Sequence, residues 1–371
     1  MTAANLISLS GRELTIDIRT PTRDLGNVGR LLGSRPSIHF PIRCRYQAPG
    51  GQRTRTRIRA RTLHNRAMTI IIADGQIRSR LNVKDAVRWM GEAIDDHHRG
   101  SLVAPPRTHA EFDGGRIVYT AGRLRGSWFG YRSYDTFPAE PGEQVVVVHD
   151  EATGTVRAIA VGNELGPRRT GAIGAVAADA LASPTAEVAA FIGTGTQAAT
   201  QLWALATVRN LREIRVFSRD QSRRDAFVAF ATSQTNARCH GVSSARDAVH
   251  GADIVILATN SPTPVIEADW LESRVHVTTL GPKQRGRVEF PPDLLEVADV
   301  IATDSLAQID AYDPPNVLVG TPHRDRLVSL GAVRAGEVAV PEAPRRSLFL
   351  SVGLAGTEVY LLSRLIASTG T

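Results

Sequence analysis

Apolar positions change their spacing near Ser183-Pro184-Thr185. Upstream, 69–73 (TIIIA) reads as a strand. Over 82–98, Val83, Ala86, Val87, Met90 and Ile94 recur at helical spacing, with Asn82 placed as N-cap and Asp85 in the first turn. The runs RIVYTAGR, SWFGYRSYDTF and QVVVVHDEATGTVRAIAVG read as strands, the last as a hairpin around 151–154. Residues 169–182 (RTGAIGAVAADALA) predict a helix whose small side chains allow close packing on a neighbour.

From 187 onward strands and helices alternate: VAAFIG, TQAATQLWALATVR, EIRVFSR, SRRDAFVAFAT, ARCHG, SARDAVHG, DIVILATN, RVHVTTLG and VADVIATDS. Apolar strands alternating with helices imply a parallel sheet covered on both faces. After Asp310 the chain is punctuated by prolines and ends in an apolar stretch, 352–366, expected as a helix packed on the first part. The fold class expected is α/β: a Rossmann doubly wound sheet over 187–310, inserted into an α+β substrate-binding and dimerisation domain built from 68–186 and 311–371.

The turn Gly193-Thr194-Gly195-Thr196-Gln197-Ala198 follows a strand and opens a helix, the context that makes GxGxxA a dinucleotide signature. Gly193 allows the tight turn, Gly195 lets a pyrophosphate approach the backbone, and Ala198 permits close helix–strand packing. The first-turn amides of that helix, from Thr196 and Gln197 on, would meet the phosphates. An NAD site places an acid about 20 residues further on, against the ribose hydroxyls. Here Ser218 and Arg219 stand there, with Arg223 and Arg224 nearby, which suits a 2′-phosphate. NADP(H) is therefore favoured, with NAD(H) kept open by Asp220.

The net charge of +7 suggests nucleic acid until it is located. Residues 1–67 hold 13 Arg, no Lys and three acids, a net of +10, while 68–371 is slightly acidic. That segment contains an arginine ladder at 53, 55, 57, 59 and 61. It reads as a nucleic-acid or membrane-surface arm, a transit peptide, a disordered tail, or a non-native extension ahead of a start at Met68. The last two are favoured, so neither nucleic acid nor membrane is an expected partner. No stretch approaches the roughly 20 apolar residues of a membrane span. Cys44 and Cys239 cannot build a disulfide framework or a cysteine-based zinc site. Adjacent His97 and His98 read as a solvated helix end, so no metal is expected. These features fit a cytoplasmic protein.

Several ordered motifs together resemble the ornithine cyclodeaminase/mu-crystallin family, from about Met68 to about Ala367. They are APPR (104–107), a glycine-led strand ending in Phe-Pro (130–138), DEATGTVRA (150–158), RRTGA (168–172), GTGTQA (193–198), ATNSPTPV (258–265), GPKQRGRVE (281–289), TDS (303–305) and SVGLAGTE (351–358). The resemblance implies a homodimer formed through the flanking domain, with substrate between that domain and the nicotinamide. It implies that Arg107, the residue at 132 and Arg169 bind a substrate carboxylate, and that Thr259, Ser261 and Gly353 lie at the cofactor. The family has Lys where this chain has Arg132, and cyclodeaminases have an Asp where it has Lys283. A guanidinium binds carboxylate but is no proton shuttle near neutral pH.

Three functions follow from the resemblance. The favoured one is an NAD(P)H-dependent oxidoreductase acting on the C–N bond of an imine, ketimine or amino-acid-type carboxylate. Arg107 and Arg169 would clamp the carboxylate, Arg132 would stabilise charge, and Lys283 would donate a proton. The others are a cyclodeaminase-type ammonia lyase, disfavoured by Lys283, and a non-catalytic NADP-binding protein. Arg107, Arg132, Arg169 and Lys283 would bring up to four positive charges together, so the small anionic substrate is expected to carry more than one negative group unless acids such as Asp135 and Glu289 neutralise them. Trp89, Trp203 and Trp270 read as core; Trp128 and Tyr131 read as pocket or core. Asp304 reads as a cofactor contact or a strand-end cap.

Overall fold

The computed structural model describes residues 7–9, 12–14, 68–137, 142–341 and 346–368. The chain divides into two units, Met1–Ala67 and Met68–Thr371. In the first, Ile7–Leu9 pairs antiparallel with Arg12–Leu14. The arginine ladder and Cys44 lie outside the described residues.

The second unit holds two large sheets. One has the order Ile70–Ala73, Val156–Gly162, Gln144–Asp150, Trp128–Asp135, Gly115–Leu124, Leu102–Val103, with Thr108–Phe112 also paired to Gly115–Leu124. It is antiparallel except where Ile70–Ala73 joins Val156–Gly162 in parallel. The two-residue period of Trp128–Asp135 buries Trp128, Gly130 and Arg132 on one face and exposes Phe129 and Tyr131 on the other. The buried face meets the helices Val83–His98, Leu165–Leu181 and Thr357–Ser368 in one apolar core. Asn82 caps the first of these, its side chain accepting from the amides of Lys84 and Asp85.

The other sheet is wholly parallel, with eight strands in the order Arg238–Gly241, Glu213–Phe217, Val188–Ile192, Ile254–Leu257, Val275–Thr279, Arg346–Leu350, Val300–Thr303, Leu327–Ser329. This corrects the expected division at 311. Leu327–Ser329 and Arg346–Leu350 belong to the parallel sheet rather than to the flanking domain. The run Ser347-Leu348-Phe349-Leu350 is buried without alternation, the pattern of a strand covered on both faces. The terminal helix begins at Thr357, not 352, because Gly353 and Gly356 take φ of +88° and +76° and hold the preceding segment in a loop. It does pack on the first sheet. A Cβ on Gly122 would lie 2.5 Å from Gly356 Cα, and one on Gly130 would lie 2.6 Å from Val359 Cγ1.

Leu165–Leu181 starts four residues before its expected position, accommodating Pro167 in the first turn, where a missing amide costs nothing. Its small residues join the two sheets. A Cβ on Gly171 would sit 2.1 Å from Thr200 O, and Gln201 Nε2 donates to Thr170 O at 3.1 Å. The helix Thr196–Leu205 thereby packs on Leu165–Leu181, which carries Arg169.

Candidate active site

Strand Val188–Ile192 is buried throughout and delivers the glycine turn to the carboxyl edge of the parallel sheet. Gly193 has φ +102°, and a Cβ there would strike Ala258 O at 2.3 Å, so only glycine fits. Gly195 caps Thr196–Leu205 without a side-chain bond, and nothing lies within 4 Å of a Cβ built on it. Ala198 is fully buried against the sheet. The turn thus leaves open space beside free helix-start amides, which fits a pyrophosphate. Gln197 Oε1 is buried with no partner among the described residues.

At the end of Glu213–Phe217, Ser218 Oγ accepts from Asp220 N at 3.3 Å. Asp220 caps Gln221–Gln234, accepting from Arg223 N and from Ser222 Oγ, and these bonds hold its carboxyl below the usual range. Arg224 donates to Val242 O. Arg219 is exposed and has no partner among the described residues.

The substrate-side arginines come from three elements. Arg132 points inward from its strand. Its Nε and Nη2 donate to Gln144 Oε1 at 2.9 and 2.6 Å, its Nη1 donates to Glu358 Oε1 at 2.8 Å, and its plane lies 4.2 Å from the Tyr134 ring centroid. Arg169, in the second turn of Leu165–Leu181, donates from Nε to the same Glu358 oxygen at 2.8 Å. Its Nη1 and Nη2 have no partner among the described residues and face Gly353, where a Cβ would come within 3.3 and 3.1 Å of them. Arg107 donates from Nη2 to Val352 O and stacks over Tyr312 at 5.7 Å, while its Nε is buried without a partner among the described residues. Burial lifts the Tyr312 phenol above its ordinary pKa, against the pull of Arg107.

Glu358 was missed as a site residue, although SVGLAGTE contains it. It is 1% exposed, and its Oε2 has no partner among the described residues. Burial would raise its carboxyl, but Arg169 and Arg132 hold it below the usual range. Burial pulls Arg132 below its ordinary value despite Glu358. Arg169 ends above its ordinary value, because Glu358 and Asp304 outweigh burial. Glu358, rather than Asp135, is therefore the acid that neutralises the arginine pair. Asp135 instead accepts from Phe137 N at 3.2 Å.

Beyond Val275–Thr279, the short strand Lys283–Gln284 pairs with Arg287–Val288. Lys283 is 2% exposed and donates from Nζ to Gly281 O at 2.6 Å. Burial lowers its pKa to about 8, with Arg107 adding to the fall and Glu289 and Asp304 opposing it. The family register at Glu289 is a structural joint. Its Oε2 accepts from Thr259 N and Oγ1 at 2.9 and 2.8 Å, and its Oε1 accepts from Thr279 Oγ1 at 2.7 Å and from Gly281 N at 2.5 Å. Thr259 and Ser261 are thus engaged within their own loop, where Thr259 Oγ1 accepts from Ser261 N and Ser261 Oγ donates to Thr263 O. Asp304 is a loop holder: it accepts from the amides of Val352, Gly353 and Leu354 at 2.9, 2.9 and 3.1 Å.

Of the two residues read as pocket or core, only Trp128 is core. Trp128 is buried edge-on against Tyr360 with ring centroids 6.0 Å apart, and Tyr131 lies on the exposed face of its sheet. Trp89 is core, and Trp203 and Trp270 pack at its margins. No cluster of three or more metal-ligating side chains occurs among the described residues. No described helix is long and apolar enough to cross a membrane.

The model of the ornithine cyclodeaminase/mu-crystallin family matches residues 68–366. An uncharacterized cyclodeaminase of Sinorhizobium fredii is 38% identical over 165 residues, 44% of this chain and only 50% of that protein. The chain therefore matches about half the length of that relative. The alanine dehydrogenase of Archaeoglobus fulgidus is 26% identical over 304 residues, 78% of this chain and 92% of that one. Among solved structures, the Δ1-pyrroline-2-carboxylate reductase of Thermococcus litoralis, in complex with NADH and L-proline, superposes with a TM-score of 0.74 at 24% identity, covering 82% of this chain and 99% of that chain.

Proposed function

Because this chain belongs to the ornithine cyclodeaminase/mu-crystallin family, we propose that it is an NADP(H)-dependent oxidoreductase that reduces the C=N bond of a small imine carboxylate, or runs the reverse reaction on the amino acid. The observation that carries this reading is the free Nη fork of Arg169, set beside Gly353 at the carboxyl edge of the nucleotide-binding sheet. A planar fork binds a carboxylate through two parallel bonds and fixes its orientation. A nicotinamide dinucleotide seated on the turn at Gly193, Gly195, Thr196, Gln197 and Ala198 supplies or accepts hydride at the carbon of that bond.

The chain's own residues would do the rest. Arg169 and Arg107 hold the substrate carboxylate and so set the attack geometry. Arg132 spends its nitrogens on Gln144 and Glu358 and holds Glu358 under the fork. Lys283, buried and near the physiological range, gives its proton to the substrate nitrogen as the C–H bond forms, and takes one back in the reverse direction. The family Asp that serves cyclodeaminases is this lysine, so the lyase reading lacks its base. Thr259, Ser261 and Gly353 would form the loops that hold the nicotinamide half.

NADP(H) is preferred over NAD(H) because Asp220 is consumed as a helix cap, while Ser218 and Arg219, which has no partner among the described residues, stand at the strand end where a ribose 2′-phosphate would arrive. A homodimer would bury the outer face of the antiparallel sheet. There the cross-strand row Ala121, Tyr131, Val147, Ile159 and Ile71 is apolar; Val147 is already buried, while Ile71 is 67% and Tyr131 41% exposed. The test is NADPH consumption by the full chain with imine carboxylates, followed by identification of the amino-acid product. Ammonia release from ornithine with no net change in the cofactor would establish the lyase instead, and cofactor binding without turnover of any imine would leave a binding protein.

A further inference from the structure

Strand Gly115–Leu124 buries Val118, Thr120 and Gly122 on one face, and Thr120 is the polar member of the three. It is 7% exposed, and its Oγ1 is buried with no partner among the described residues. A buried hydroxyl that bonds to nothing weakens a fold, and native chains seldom keep one without a use. Valine would fill the same space at no such cost.

The strand register fixes where this hydroxyl lies. Thr120 stands directly opposite Arg132 on the neighbouring strand, an arrangement that puts the two Cβ atoms on one face about 4.5–5.5 Å apart. Two residues along that face is Gly122, where a Cβ would lie 2.5 Å from Gly356 Cα. On the other flank, strand Thr108–Phe112 starts opposite Tyr119, so Arg107 enters it beside Thr120. Thr120 is thus bracketed by Arg107, Arg132 and the loop that runs from Val352 to Gly356. The same loop gathers the other two arginines' contacts at consecutive residues: Arg107 Nη2 donates to Val352 O, and the Arg169 fork faces Gly353. Arg132 and Arg169 are joined in turn through the single Glu358 oxygen that each reaches at 2.8 Å.

The unspent nitrogens around Thr120 are all donors. Arg107 Nε and the Arg169 Nη pair have no acceptor among the described residues. A group that satisfies them must accept, and a carboxylate does nothing else, offering about four lone-pair positions on its two oxygens. The guanidinium fork occupies one edge of it. The outer positions are left for further donors, and the Thr120 hydroxyl has one hydrogen to give.

We propose that Thr120 is a substrate-binding residue whose Oγ1 donates to the carboxylate held by Arg169 and Arg107. This rests on the carboxylate placement in the reductase reading, but it adds a residue with no part in that reading and is measured by binding, without turnover. The hydroxyl gives up stability of the free fold for affinity toward the ligand. The test titrates the full chain, loaded with NADP, calorimetrically with L-proline, L-alanine and L-glutamate, in the wild type, Thr120→Val and Thr120→Ser. Thr120→Val should weaken the carboxylates that bind by roughly tenfold or more, the effect of losing a hydrogen bond to a charged group. It should raise KM for imine carboxylates by a similar factor. Thr120→Ser, which keeps the hydroxyl, should restore most of the affinity. Without ligand, Thr120→Val should melt at or above the wild-type temperature. Unchanged affinity in Thr120→Val, a loss that Thr120→Ser does not restore, or a Thr120→Val chain that fails to fold makes the hydroxyl structural and overturns the proposal. So does a wild type that binds none of the three amino acids. A serine-reversible loss of binding in a protein that reduces no imine supports the contact and overturns the reductase reading instead.

Discussion

Replacing Glu358 with glutamine isolates what its charge contributes. One oxygen of this carboxylate accepts from Arg132 Nη1 and Arg169 Nε, each at 2.8 Å, and all three residues are buried. A glutamine oxygen in the same place can keep both bonds but not the charge. Its NH2 group would occupy the position of Oε2, which has no acceptor nearby among the described residues. Taking one member from a buried ion pair costs about 3–5 kcal/mol, because the partner charge is left uncompensated. Glu358→Gln should therefore lower the unfolding free energy by roughly that amount, read from urea titrations followed by tryptophan fluorescence. The same reasoning requires that removing the stranded charges helps. Adding Arg132→Met and Arg169→Met to Glu358→Gln should recover about 1–4 kcal/mol, the range seen when buried ion networks are exchanged for apolar side chains. A loss below about 1 kcal/mol in the single variant, or a triple variant no more stable than it, would refute the account.

Arg219→Ala should weaken NADPH by about 1–3 kcal/mol, the range for a hydrogen bond to a charged group, and leave NADH nearly unchanged; equal losses would remove the 2′-phosphate assignment. Ile71→Glu with Tyr131→Glu should turn a dimer into a monomer in sedimentation, and a dimer that survives both changes lies on another face. Lys283 titrates near pH 8 in the fold and at its ordinary 10.5 when unfolded, so between those values the unfolded chain holds more protons and stability climbs with pH. Lys283→Met should abolish that climb and be more stable than wild type at pH 7 by up to roughly 3 kcal/mol; an unchanged stability profile would place the amine in water. A chain beginning at Met68 retains the family-matched span 68–366, and it should bind NADPH as the full chain does in a fluorescence titration.

The glycine turn was legible in the sequence because its requirements are local. A positive φ at Gly193 and an uncovered Gly195 follow from a strand running straight into a helix. Glu358 was not legible as a charge partner, because nothing in a 12-residue terminal helix says that two arginines from 226 and 189 positions earlier will meet one of its oxygens. Arg132 shows the same difference. Its inward direction follows from alternation, whereas the commitment of its nitrogens to Gln144 and Glu358 depends on tertiary neighbours. The strand Arg346–Leu350 was obscured by the proline-rich stretch ahead of it, although its unbroken apolar run carried the signal.

That strand also dictates when the parallel sheet can exist. Arg346–Leu350 lies between Val275–Thr279 and Val300–Thr303, so the sheet is stitched together by the strand that follows all its others in sequence. A nascent chain ending at residue 340 would carry five strands, from Arg238–Gly241 to Val275–Thr279, with a second edge newly opened at Val275–Thr279. Val300–Thr303 and Leu327–Ser329 would be stranded as a separate ribbon. Unpaired apolar edges of this kind recruit other chains. Closure must also bring Gly356 against Gly122 across most of the sequence, a non-local contact of the sort that slows folding. Assembly therefore waits on that strand, and truncation before Arg346 would remove both the seam of one sheet and the helix packed on the other.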